Sequence, residues 1–81
     1  MTHTFQVVFT LAGEDSLEPH LDALHAAGCD DAAFAGPATD GTFIAEFDRE
    51  AAALASAVDS ALESLQTALP NAQVHRVARE P

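Results

Sequence analysis

The chain has 81 residues and an apolar fraction of 48%, which suits one small folded domain spanning residues 1–81 and argues against disorder. Thirteen carboxylates stand against three Lys and Arg residues, for a formal charge of −10. That balance weighs against direct nucleic-acid binding and against an anionic membrane, because both call for clustered cations. The single cysteine, Cys29, leaves no internal disulfide and no Cys-based zinc site.

There is no Trp or Tyr, so the core must come from five Phe together with Leu, Val and Ile. Thr4 to Leu11 reads as a strand, with Phe5, Val7, Phe9 and Leu11 on one face. Gly13 to Ser16 breaks it. Asp15 or Ser16 can cap the helix that follows, and Asp15 with Glu18 has capping-box spacing. Pro19 is tolerated in a first turn, Leu17, Leu21 and Leu24 form the buried stripe, and Gly28 sits where a C-terminal glycine belongs.

Asp31 to Gly36 reads as a short second strand carrying Phe34, and Asp40-Gly41 is a turn signal. Thr42 to Phe47 is the third strand, with Phe43, Ala45 and Phe47 on one face and Ile44 on the other. Asp48 is a good N-cap for a long second helix, whose stripe is Ala51, Leu54, Val58, Leu62, Leu65 and Leu69. Pro70-Asn71 stops it. Ala72 to Ala78 is the fourth strand, with Val74 and Val77 on opposite faces. The order β-α-β-β-α-β predicts an α+β fold, a ferredoxin-like two-layer sandwich with a four-stranded antiparallel sheet and both helices on one face.

This topology collects Glu14, Asp15, Glu18, Asp22, Asp30, Asp31, Asp48, Glu50, Asp59 and Glu63 on the helices or at their ends. The open sheet face is expected to be nearly neutral and partly apolar, with Val8, Ile44 and one of Val74 or Val77. Such a face invites a homodimer through Val8 and Ile44, and the edge strands offer another route to pairing. The Phe5–Phe9 run is too short and too polar for a signal sequence, and no run reaches membrane-spanning length. The cytoplasm is the expected compartment.

Catalysis needs a nucleophile with a base, or carboxylates held apart in pKa within a cleft. Ser16 falls at a cap, and Ser56, Ser60 and Ser64 recur every four residues as a small, smooth contact stripe. Cys29 follows a helix end with no cationic neighbour in sequence to activate it. Glu18, Asp22 and His25 share a helix face that could ligate a metal, yet they read first as a solvated surface. None of the histidines has the spacing of a helical metal motif. The chain is expected to be non-enzymatic, with no cofactor and no metal.

Two stretches, Ala27-Gly28-Cys29-Asp30-Asp31-Ala32 and Phe47-Asp48-Arg49-Glu50-Ala51, resemble the N-terminal ferredoxin-like domain of small bacterial helix-turn-helix proteins, sometimes labelled antitoxin-like. The first strand and Arg76-Val77 add to that resemblance. In that family a DNA-binding helix-turn-helix follows the last strand. This chain ends at Pro81 without one, so DNA binding is not implied. In charge and size the chain also resembles the acidic anti-CRISPR inhibitors carried by phages. The expectation is an acidic protein-protein interaction module, an inhibitor occupying a basic, nucleic-acid-binding surface of a host defence complex such as a Cas complex. Its contact residues would be Glu14, Asp15, Glu18, Asp22, Asp30 and Asp31, flanked by Asp59 and Glu63. The alternative is a dimerisation or sensing domain of a regulator lacking its DNA-binding segment.

Overall fold

The alternation of Phe5, Val7, Phe9 and Leu11 produces a strand, β1, over Thr2–Leu11 with those four side chains buried on one face. The computed structural model describes residues 1–12 and 16–79. Glu14 and Asp15, and the cap expected at Asp15, lie outside the described residues. After β1 come a 3-10 turn at Glu18–His20, α1 at Leu21–Ala26, β2 at Ala32–Ala35, β3 at Phe43–Glu50, α2 at Leu54–Ala68 and β4 at Ala72–Arg79. The four strands form one antiparallel sheet in the order β2-β3-β1-β4. Both helices pack on one side of it around a single cluster. This is the ferredoxin-like sandwich.

Cross-strand aromatic pairs build the core. Phe5 lies opposite Phe47, and Phe9 lies opposite Phe43. The rings stack with centroids 5.5 and 5.7 Å apart, and all four Phe are fully buried. Such rings already fill the space beneath the helices. The residues of α2 that meet them are therefore small: Ala57 and Ala61, with Leu65, are its buried line, and the close approach keeps the interior dense. Leu54, Val58 and Leu62 lie on the flank, half-buried against the core.

The structure corrects several expectations. Leu17 and Leu24 are buried, but Leu21 is 47% exposed. The 3-10 turn between Leu17 and Leu21 advances the chain by about 120° per residue rather than 100°, which swings Leu21 out of the stripe. Asp48 is not a helix cap. It lies within β3, which runs on through Arg49 to Glu50. Helix α2 starts after Ala53 with no side-chain cap, so Ala51 precedes it.

In β4, Val74 lies opposite Phe9 and Val77 opposite Val7, with an irregularity in register between them. Directly paired residues share a face of the sheet. Val74 and Val77 therefore both project to the helix side, because the extra residue at the irregularity, His75, reverses the alternation.

An arginine lock and two acidic surfaces

Helix α1 ends in a left-handed turn at Gly28, φ +95°. The Cys29 N–H donates to the Leu24 carbonyl at 3.0 Å and the Gly28 N–H to the His25 carbonyl at 3.1 Å. These are the two bonds of a Schellman cap, and Leu24 and Cys29 are both buried beneath it. Arg49 on β3 meets this turn. Its Nη2 donates to the Gly28 carbonyl at 2.7 Å and to Asp31 Oδ1 at 2.9 Å, and its Nε donates to Asp31 Oδ2 at 2.8 Å. Nη1 reaches the hydroxyls of Ser60 and Ser64 on α2 at 3.3 and 3.4 Å. The guanidinium carbon stands 5.2 Å from the centre of the Phe47 ring.

One side chain therefore ties together the end of α1, the start of β2, β3 and α2. A planar guanidinium suits this task, since its fork matches a carboxylate and its face stacks on an aromatic ring. The Arg49 and Asp31 side chains are 12% and 28% exposed. Hydrogen bonding to Asp31 raises the pKa of Arg49 above its ordinary value against the opposing effect of burial. Burial pushes the Cys29 thiol up, and the nearby Arg49 charge offsets that only in part. Cys29 is thus held as a neutral, 3% exposed thiol.

Arg49 was not among the residues singled out from the sequence, although one signal pointed to it. It is the only Arg or Lys before residue 76, and it lies in one of the two stretches that carry the family resemblance. The structure brings those two stretches together at this lock. Asp31 consequently differs from the other acidic positions of the helical layer. Both of its carboxylate oxygens accept from Arg49, while its backbone carbonyl accepts the Asp48 N–H. Ser60 and Ser64 turn toward Arg49 rather than forming a free contact stripe.

Glu18, Asp22, Asp30, Asp59 and Glu63 are all exposed on the helical layer. The opposite face of the sheet is not nearly neutral. Extension of β3 to Glu50 places Glu46, Asp48 and Glu50 in a row there, directly across from Gln6, Thr4 and Thr2 of β1. Each carboxylate accepts a hydrogen bond from its opposite neighbour: Glu46 from Gln6 at 3.3 Å, Asp48 from Thr4 at 2.6 Å, and Glu50 from Thr2. The Met1 ammonium also bonds Glu50, at 2.9 Å. The Thr2 hydroxyl, and after it the ammonium, holds the Glu50 carboxyl below its ordinary value.

Further along the same face, Val8 lies opposite Ile44 on one side and Arg76 on the other. Val8 is only 7% exposed and Ile44 is half-buried. Little apolar surface is offered there, and the carboxylate row lies beside it on the same face. Glu18, Asp22 and His25 form no metal cluster: among the described residues, no group of three or more His, Cys, Asp or Glu is placed to hold a metal ion. No helix among the described residues is long and apolar enough to cross a membrane.

Comparison with family models, with curated proteins and with solved structures returns no match to this chain.

Proposed function

We propose that the chain is a non-enzymatic, acidic protein-interaction module that occupies a basic, nucleic-acid-binding surface of another protein, in the manner of an anti-CRISPR inhibitor. The observation that carries this reading is the separation of charge. The one arginine of the first 75 residues is turned inward onto Asp31, whereas exposed carboxylates face solvent from both layers. Solvated carboxylates of one sign create a field that steers a cationic surface and fixes its orientation. Glu18, Asp22 and Asp30, with Asp59 and Glu63 beside them, supply that field on the helical layer.

Binding to a purified Cas effector complex, or to another basic partner recovered by pull-down, tests the reading across a salt series. Affinity should fall steadily as salt rises. The triple reversal Glu18→Lys, Asp22→Lys and Asp30→Lys should abolish binding while leaving the fold intact. Affinity indifferent to both changes would show that the acidity serves solubility alone.

A second reading draws on the lock itself. The two stretches that resemble the N-terminal domain of antitoxin-like regulators are the ones that interlock through Arg49. On this reading the chain is the sensing or dimerisation domain of such a regulator. Sedimentation that reports only monomer at rising protein concentration would count against its dimerisation form.

A further inference from the structure

Between α1 and β2 the helical layer leaves a groove. Two cavities lie along it, of about 220 and 300 Å³. Leu21 and Phe34 line both and form the wall between them. The first is closed by Cys29 and Ala32 and carries Asp30 at its rim, and the second reaches Gly36 and carries Glu18. Leu21, Leu24, Cys29 and Phe34 supply its apolar lining, His25 and Ser16 line it as well, Leu21 is 47% exposed at its centre, and each end bears one exposed carboxylate.

The groove runs beside a sheet edge, since β2 pairs with β3 alone. The Asp48 N–H donates to the Asp31 carbonyl, which marks Asp31 and Asp48 as a hydrogen-bonded pair of the ladder. Pairs alternate in an antiparallel ladder, so Phe34, opposite Ala45, turns its N–H and C=O away from β3. A strand laid along this edge would point every second side chain toward the groove, on either side of Phe34. The Ala32 N–H is already given to the Cys29 carbonyl at 3.3 Å and Pro37 has no N–H to donate, so such pairing rests on the N–H and C=O of Phe34 and the carbonyl of Ala32.

We propose that this groove is the docking site for a short extended segment of the partner, in which an apolar side chain that enters the groove has a Lys or Arg two residues before it and another two residues after it, on the same face of the segment. Charge complementarity selects this occupant. Glu18 and Asp30 stand at the two ends of the groove and match cations on either side of an apolar anchor set against Leu21 and Phe34, while a second copy of this chain would bring more carboxylates to the same place. The proposal rests on the reading of the chain as a module for basic partners, and it names where and how the partner is held.

The probe is a synthetic peptide in which threonine alternates with lysine, valine and lysine in turn, so that one valine and the two cations flanking it share a face. A control peptide has the same composition with both lysines placed directly beside the valine, which turns them to the opposite face. Both are titrated into isotope-labelled protein at low salt while the amide resonances are followed. The alternating peptide should bind more tightly than the control and shift the amides of Ala32, Ala33, Phe34, Ala35 and Leu21. The exposed-site variant Leu21→Ser should weaken it by about tenfold, the effect of losing one apolar anchor. Glu18→Gln with Asp30→Asn should weaken it comparably and flatten its salt dependence. Equal binding of both peptides, with shifts scattered over α2 and β3 and no effect of Leu21→Ser, would overturn the groove and leave the acidic-module reading standing. Preferred binding of the alternating peptide with shifts along β4 would overturn the groove as well. Absence of any binding by either peptide would overturn the groove, while the salt series on a basic protein partner decides the acidic-module reading by itself.

Discussion

Asp30 and Asp31 are neighbours in the chain and opposites in the fold. Asp30 is exposed at the rim of the α1–β2 groove. Asp31 accepts two hydrogen bonds from Arg49 at the junction of both layers. The same carboxylate serves as a solvated charge in one place and as half of a structural pair in the other. What separates them is the direction set by the Gly28 turn, which carries the chain into β2 and aims one of the two side chains at β3. The wider comparison is between the lock, where charge is matched and screened from water, and the outer surfaces, where it is left open to a partner. A change at the lock should destabilise the fold, and a change on the outer carboxylates should not.

The largest effect is expected where the lock rests on the core. Phe47 is fully buried, stacks on Phe5 and lies under the Arg49 guanidinium. Phe47→Ala should cost roughly 3–5 kcal/mol, much of the margin of a domain this size, about 0.1 kcal/mol per residue. Urea unfolding measures it. A loss no greater than that of an exposed alanine substitution would place Phe47 outside the core.

Arg49→Lys should follow at roughly 2–3 kcal/mol. A lysine keeps the charge but cannot hold Asp31 by two parallel bonds while also reaching the Gly28 carbonyl and lying flat on Phe47. Glu63→Lys, on the exposed face of α2, should stay within about 0.5 kcal/mol. Similar losses for the two variants would erase the distinction between the lock and the surface.

The smallest effect is a pH dependence carried by exposed groups. In the folded chain the Glu50 carboxyl lies below its ordinary 4.5, held by Thr2 and the ammonium, and Asp40 lies below its ordinary 3.8, held first by the Thr42 hydroxyl. Depressed folded values mean that the unfolded chain takes up these protons first. The stability they contribute is complete above about pH 4.5 and declines as the pH falls through the folded values. Urea midpoints measured down to about pH 3 should show a decline that Thr2→Val and Thr42→Val together make shallower. An unchanged slope in that double variant would remove both hydrogen bonds from the account.

Much of this architecture was legible in local pattern. The alternating Phe of β1, the Asp40-Gly41 turn, the C-terminal glycine of α1 and the order of elements follow from spacing and turn chemistry. The end of β3 was not legible. Asp48 followed by an alanine-rich run satisfies every local rule for a helix start. The strand continues nonetheless because Thr4 and Thr2, more than 40 residues away in the chain, meet Asp48 and Glu50 across the ladder. No local pattern shows that pairing.

The same continuation of β3 hid the acidic row on the sheet face and the role of Arg49, which meets Asp31 from that strand. The irregularity at His75 and the 3-10 turn before Leu21 are further cases in which a single residue out of phase reverses a face. Leu21, expected in the core, is instead the apolar centre of the α1–β2 groove.

The division of the carboxylates between structure and surface is tested most directly by the thermal unfolding of two single variants, Asp30→Asn and Asp31→Asn. Each removes one negative charge and nearly preserves shape. Asp31→Asn should lower the unfolding midpoint by about 10 °C, as the loss of a charge-assisted pair of about 2 kcal/mol does in a domain of this length, while Asp30→Asn should leave it unchanged. Equal midpoints for the two variants would contradict the account, because the lock would then hold nothing that its solvated neighbour does not.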